Sequence, residues 1–168
     1  VSKLVLIEGI GSNTNLADDG PELLRKAVND MKKLTTKLKP VYKTCDDAIH
    51  SRAHSGRMIS VDASTHICNR GLMSVGDGFT WRYDPRLKLS SAIRLTEDML
   101  TAYLKNLSMP VLLVRGRHSF FLTEKTLQRR VDKISLCQKV LLDGNHHLHL
   151  GQDTFGPVAA AINKFLVL

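Results

Sequence analysis

Three short apolar runs predict buried strands in this chain. The first covers residues 4–8, the second covers residues 110–116, and the third, which ends in a turn, begins at Lys139. The runs are nearly continuous rather than alternating between apolar and polar positions. That pattern is typical of parallel strands that are covered by helices on both faces. The sequence therefore predicts an α/β fold with a small, mostly parallel sheet.

Helix signals lie between and after these runs. Pro21 stands at the first position of a predicted helix, and Thr96 and Thr123 are hydroxyl N-caps that precede acidic residues. The last helix is predicted to begin near Gly156-Pro157. The apolar positions with near-helical spacing after Pro21 are Leu24, Val28, Met31, Leu34 and Leu38.

The segment 13–95 has a different hydrophobic pattern, because it contains no continuous apolar run of the kind that predicts a buried strand. We predict that it forms short helices and loops. The predicted order is one strand, then this helical segment, then alternating strands and helices. This order indicates an α/β core with an insertion, because insertions form where loops leave the carboxyl edge of a sheet. The predicted core consists of residues 1–12 and 96–168, and the predicted helical cap consists of residues 13–95.

Composition narrows the class of protein. The chain has 168 residues, of which 43% are hydrophobic and 24% charged, as in ordinary globular proteins. Its net charge of +8 leaves nucleic acid, an anionic membrane or an acidic substrate open as partners. Aromatic residues make up only 5%, and no nucleic-acid recognition module is found, so we predict no nucleic-acid partner. The basic cluster Lys32, Lys33, Lys37, Lys39 and Lys43 is interpreted as a solvated helix face.

The cysteines and the apolar runs bear on location. The chain has an odd number of cysteines, and no two of them form a C-x-x-C pair: they are Cys45, Cys68 and Cys137. We therefore predict neither a disulfide scaffold nor a zinc ribbon. The apolar runs are too short to cross a bilayer, and the first residues do not read as a signal peptide. We therefore expect a soluble protein in a reducing compartment such as the cytoplasm, without a cofactor.

A histidine-rich turn follows the third predicted strand. His146, His147 and His149 lie where an α/β sheet presents reactive groups, and imidazole transfers protons readily near neutral pH. Three readings compete: surface turn residues, a metal site, and one catalytic base with two neighbouring histidines. A metal would need a distant further ligand, so no metal is predicted.

Several segments together resemble a known family. They are residues 4–9, the cap segment 78–87, which contains Phe79-Thr80-Trp81 and Asp84-Pro85-Arg86-Leu87, and residues 110–116 and 144–149. In that order they resemble the kraken-type serine hydrolase-like proteins of the α/β-hydrolase superfamily. The resemblance implies the C-terminal part of the α/β-hydrolase fold, with strands six to eight of its sheet. It also implies a small-molecule ester or acyl substrate.

The resemblance implies catalytic roles for two residues. His146 matches the base of a Ser-His-acid triad. The usual acid position after the seventh strand reads Gly116-Arg117-His118-Ser119 and has no carboxylate, so the acid is expected at the end of the sixth strand, at Glu8. A carboxylate on Nδ1 would fix the imidazole tautomer and leave Nε2 to activate a hydroxyl.

The sequence contains no G-x-S-x-G elbow for the nucleophile. The resemblance places that serine upstream, so the chain is expected to be a fragment, inactive alone, whose first strand forms an exposed apolar edge. The alternative is an inactive hydrolase-fold isoform that acts as a binding protein. Phe79 and Trp81 are predicted either to contact substrate or to anchor the cap. Relatives suggest perinuclear vesicles or peroxisomes as further locations.

Overall fold

The computed structural model describes residues 1–34, 38–55 and 59–167. They divide into two compact units, one made of Val1–Asn15 and Leu95–Leu168 and the other of Leu16–Arg94. The interpretation of the second unit as a cap stays a prediction. The strands are β1 (Leu4–Ile7), β2 (Val41–Tyr42), β3 (Leu72–Val75), β4 (Gly78–Trp81), β5 (Val111–Gly116) and β6 (Cys137–Leu142). The helices are α1 (Gly20–Leu34), α2 (Cys45–Ala53), α3 (Val61–Gly71), α4 (Glu97–Lys105), α5 (Glu124–Val131) and α6 (Phe155–Val167).

The first unit is built on a parallel sheet with the strand order β1-β5-β6. β5 lies in the centre, and all six of its residues are buried. Val111 and Leu113 pack in one apolar cluster with residues of α4 and α5, whereas Leu112 and Val114 pack in a second cluster with residues of α6. The prediction of a parallel sheet with helices on both faces is therefore confirmed, but only β5 is fully buried, since β1 and β6 are partly exposed. Among the described strands, β1 pairs only with β5 and lies at the sheet edge.

The helix starts in this unit follow the predicted capping residues. The side chain of Thr96 accepts a hydrogen bond from the Met99 backbone N–H, and that of Thr123 accepts one from Thr126, at 3.3 Å in each case. These contacts satisfy amide donors that have no partner inside the helix. The two predicted helix starts are confirmed.

α1 begins where Gly20-Pro21 predicts, but its apolar stripe is not a core face. The side chains of Leu24, Val28 and Met31 are 43–61% exposed, and Leu38 lies beyond the helix end. Lys37, a member of the predicted basic cluster, lies outside the described residues. No helix in the described ranges is long and apolar enough to cross a membrane.

The second unit contains an antiparallel sheet with the strand order β2-β4-β3. The prediction that residues 13–95 form short helices and loops is therefore wrong for these three strands, whereas the helices α1, α2 and α3 agree with it. β3 and β4 form a hairpin closed by Gly76-Asp77, where Gly76 adopts a left-handed φ of 52° that suits a two-residue turn. Residues 73–75 of β3 are exposed, and the apolar stretch of this strand is only four residues long and interrupted by Ser74, so it does not stand out in the sequence. α2 and α3 supply the buried Ala48, Ile49 and Cys68 that pack with the sheet.

Candidate active site

Glu8 is a buried carboxylate at the carboxyl end of β1. It is only 2% exposed, and its φ of 64° lies in the left-handed region, where glutamate is strained. Such strain is kept where the surrounding structure fixes a residue, and it often marks functional positions. The backbone N–H of Gly116 donates a hydrogen bond to Oε1, and the Ser119 hydroxyl donates one to Oε2. These two donors compensate the carboxylate for its loss of water.

The segment after Glu8 is fixed by a buried arginine. Arg130, on α5, is 2% exposed and donates to the backbone oxygens of Ile10 at 2.9 Å and Ser12 at 3.1 Å. Its guanidinium also forms a bidentate pair with Glu97 at 3.0 and 2.8 Å. The Arg130 hydrogen bonds hold the pKa of Glu97 down, to about 2, although partial burial opposes the shift.

His146 lies in the turn after β6, and its Nδ1 is 3.0 Å from Oε2 of Glu8. The structure thus brings together the two residues whose contact the sequence predicts. An ionised carboxylate can only accept hydrogen bonds, so a hydrogen on Nδ1 is required for this contact. In the neutral imidazole, Nε2 then keeps its lone pair. Their catalytic roles stay predictions.

Gly116 lets the histidine turn approach the acid. A Cβ on Gly116 would lie 2.5 Å from the backbone oxygen of Gly144 and 2.7 Å from that of Asn145. No side chain fits there, so only glycine allows residues 144–145 to lie against the end of β5. Gly144 itself adopts a φ of 123°, which also favours glycine. Close backbone packing thus places His146 beside Glu8.

Aromatic side chains border the imidazole of His146. The Phe121 ring is stacked on it with a centroid distance of 4.9 Å, and the Phe120 ring lies at 5.4 Å. His147 packs edge-on at 5.1 Å. Phe120 is 58% exposed and lies beside the Glu8–His146 pair. It gives the site an apolar surface.

His149 lies in the electrostatic field of the pair. Desolvation lowers its pKa, the nearby His146 lowers it further, and Glu8 opposes the shift. This favours the neutral form of His149. As for the metal reading of the histidine turn, the described residues contain no group of three histidine, cysteine or acidic side chains arranged to hold an ion.

Sequence reasoning missed three contributors to the site: Gly116, Ser119 and the pair Phe120-Phe121. In the sequence, Ser119 stands at the position where the resemblance leads one to expect a carboxylate. Their position after a predicted strand is the sequence feature that could have identified them, since the carboxyl ends of adjacent parallel strands lie at the same edge of a sheet. Residues that follow β5 therefore had to lie close to Glu8.

Phe79 and Trp81, the predicted substrate-contact residues, lie on β4 in the second unit. Both pack against the apolar cluster formed by α2, α3 and β3. The Trp81 indole N–H donates to the Tyr42 hydroxyl at 3.4 Å, and its ring lies against Gly71. These contacts hold the two side chains within their own unit. A role in substrate binding stays a prediction.

Comparison with solved structures shows several similar chains. A hypothetical protein from Pseudomonas aeruginosa PAO1 has 31% sequence identity and a TM-score of 0.92, covering 99% of this chain and 59% of its own. The thioesterase domain from the curacin biosynthetic pathway has 17% identity and a TM-score of 0.76, covering 97% and 58%. E-2-(acetamidomethylene)succinate hydrolase has 16% identity and a TM-score of 0.69, covering 100% and 58%.

The chain therefore spans about three fifths of the length of these structures, 58–59%. No protein-family model and no curated protein matches it. The likeness, together with the parallel sheet, shows that the chain has an α/β-hydrolase-like fold. The predicted fold class is confirmed at this level.

Proposed function

We propose that this chain is part of a serine hydrolase that cleaves an ester or a related acyl bond. The observation that carries the proposal is the 3.0 Å contact between His146 Nδ1 and Glu8 Oε2. In a Ser-His-acid triad, a buried carboxylate orients the imidazole that acts as the base. Glu8 and His146 have this arrangement at the carboxyl ends of the parallel strands. The nucleophile would be a serine outside these 168 residues, since no G-x-S-x-G motif occurs in them.

His146 would transfer the protons of the reaction. The serine Oγ bonds to the substrate carbonyl carbon while its proton passes to Nε2 of His146. The proton then goes to the leaving alkoxide or thiolate as the acyl bond breaks. In the second half of the reaction, a water molecule gives a proton to Nε2 and its oxygen bonds to the acyl carbon. The bond from that carbon to the serine Oγ then breaks, His146 returns the proton to Oγ, and the carboxylic acid leaves.

Glu8 would act through His146 and not on the substrate. Its negative charge stabilises the imidazolium that forms when Nε2 takes a proton. The Gly116 N–H and the Ser119 hydroxyl keep the carboxylate in one orientation. Fixed partners of this kind maintain the Nδ1–H tautomer, without which Nε2 cannot accept a proton.

The fold neighbours and the site surface support a substrate class. The similar chains include a thioesterase domain and E-2-(acetamidomethylene)succinate hydrolase. The exposed Phe120 ring beside His146 would favour an apolar group next to the scissile bond. An ester or thioester with an apolar acyl or leaving group fits both observations. The kraken-type resemblance and a cytoplasmic location stay predictions.

A second candidate is an inactive hydrolase-fold protein that binds a partner. The lack of a G-x-S-x-G motif in the 168 residues favours it, since a chain without a nucleophile cannot form an acyl-enzyme. The two candidates differ in one chemical property. Only the hydrolase has a serine that becomes reactive when His146 accepts its proton.

The test is covalent labelling of the natural full-length protein with a fluorophosphonate. We expect labelling of one serine, slowed about 10³-fold or more by His146→Ala and by a similar factor by Glu8→Gln. His66→Ala replaces an exposed histidine of the second unit and is the matched control, with unchanged labelling. An unlabelled parent protein would favour the binding protein, and rapid labelling of His146→Ala would refute the assigned base.

A further inference from the structure

The second unit contains a basic cavity that the proposed reaction does not use. Its volume is about 240 Å³, and it lies between the end of α1, the segment 38–40 and the turn that contains Pro85. Its lining combines three lysines with a tyrosine and apolar side chains. The residues that matter are Lys33, Lys39, Lys88, Tyr83, Leu34 and Leu89.

Basic residues outnumber acidic ones in the lining of this cavity. Asp30 is the one carboxylate among the described lining residues, and it already accepts a 2.6 Å hydrogen bond from Ser90, which lowers its pKa. Asp84 interacts electrostatically with Lys39, but both of its carboxylate oxygens accept hydrogen bonds from the Arg86 guanidinium. The ammonium groups of Lys39 and Lys88 lie 5.7 and 4.6 Å from the centre of the same ring, that of Tyr83, so an anion between them would offset their mutual repulsion.

Two of the lysines are held in place around Tyr83. The Lys39 ammonium donates to the backbone oxygens of Trp81 at 2.7 Å and Tyr83 at 3.3 Å. An ammonium has three N–H donors, so one remains for a ligand. The Lys88 ammonium lies 4.6 Å from the centre of the Tyr83 ring, and that of Lys39 lies 5.7 Å from it. Donors ordered in advance lose less entropy when they bind.

We propose that this cavity binds a small organic anion, a phosphate monoester or carboxylate that carries an apolar group. The lysines would contact the anionic group, and the Tyr83 ring and the leucines would contact the apolar part. At about 240 Å³ the cavity is below the roughly 300–1,000 Å³ typical of sites for drug-sized ligands, which limits the ligand to a small molecule. The inference stands independently of the hydrolase activity.

The test is calorimetric titration of the 168-residue chain with phenyl phosphate, benzoate and inorganic phosphate at low ionic strength. We expect saturable binding of the first two, weaker binding of inorganic phosphate, and weakening as salt is added. Lys88→Gln should weaken phenyl phosphate about tenfold, because it removes one charged contact. Tyr83→Leu should weaken phenyl phosphate more than inorganic phosphate.

Lys43→Gln is the matched control, since it makes the same charge change at an exposed lysine outside the cavity lining. It should change binding less than twofold at moderate salt. Equal weakening by Lys43→Gln and Lys88→Gln would show diffuse attraction to a basic surface and overturn the proposal. Lack of saturable binding of both organic anions to a folded chain, checked by its thermal transition, would also overturn it.

Discussion

Gly116 donates its backbone N–H to the carboxylate of Glu8, a residue 108 positions earlier in the chain. The same glycine lies against the backbone oxygen of Gly144, two residues before His146. One residue without a side chain therefore joins the two predicted catalytic groups. Its replacement tests how the site is assembled.

Gly116→Ala should destabilise the first unit and separate His146 from Glu8. The added Cβ would lie 2.5 Å from the Gly144 oxygen, so the histidine turn must move. Overpacking of this kind costs about 1–3 kcal/mol, measured as the free energy of unfolding in urea. Gly156→Ala, in α6, is the control because nothing lies within 4 Å of its Cβ position. If both variants unfold alike, the proposed packing role of Gly116 is wrong.

The buried Arg130–Glu97 pair should make the unit sensitive to acid. The folded-state pKa of Glu97 is about 2, below its ordinary value of 4.5, so its contribution to stability is complete above pH 4.5. That contribution is lost as the pH falls from 4.5 toward 2. We expect the parent chain to lose stability relative to Glu97→Gln across this window, as measured by urea unfolding at each pH.

At pH 7, Glu97→Gln should cost about 2–3 kcal/mol, because it leaves the buried Arg130 charge without a counter-charge. Glu22→Gln provides the comparison, since Glu22 pairs with Arg25 at the exposed surface. The control should cost less than about 1 kcal/mol. Equal costs would mean that Arg130 does not depend on Glu97 for its charge balance.

Ser119→Ala should leave the Glu8 carboxylate in place but make its orientation less fixed. Its hydroxyl donates to Oε2 of Glu8, the oxygen that also contacts His146. Loss of one fixing hydrogen bond should slow fluorophosphonate labelling of the full-length protein about tenfold. Ser119→Thr, which keeps the hydroxyl, should restore most of the rate, and Ser2→Ala, at an exposed serine, should have no effect. Failure of threonine to restore labelling would favour a purely steric role.

The exposed edge of β1 should make the 168-residue chain self-associate. β1 pairs on one side only among the described strands, and Ile7 is 36% exposed. Unprotected apolar edges pair with other chains, and a lysine at the edge prevents this. Ile7→Lys should therefore lower the mass measured by light scattering at equal concentration, whereas Leu87→Lys, in an exposed turn, should not. A monomeric parent chain would contradict this prediction.

Two strands of the parallel sheet could be predicted from the sequence because their physical signal is local. β1 and β5 are continuous apolar runs, and Thr96 and Thr123 mark helix starts through contacts three residues away. The hairpin β3–β4 could not be predicted in the same way. Its strands are four residues long, and one of them is mostly exposed, so its stability comes from packing within the second unit.

The candidate site was predictable only in part. The resemblance and the positions of Glu8 and His146 after predicted strands are enough to predict these two residues. Ser119 and Glu8 are 111 positions apart in the chain, and no local sequence pattern predicts the hydrogen bond between them. The same holds for the rings of Phe120 and Phe121, which meet His146 only because β5 and β6 are adjacent.

The protonation of the His146 ring tests the central claim most directly, and it needs no nucleophile. Nitrogen-15 NMR of the 168-residue chain, recorded where its histidines are neutral, distinguishes the two tautomers. The contact of Nδ1 with the Glu8 carboxylate predicts hydrogen on Nδ1 and a bare Nε2, with this preference lost in Glu8→Ala. Hydrogen on Nε2 in the parent chain, or the same tautomer in both proteins, would contradict the account.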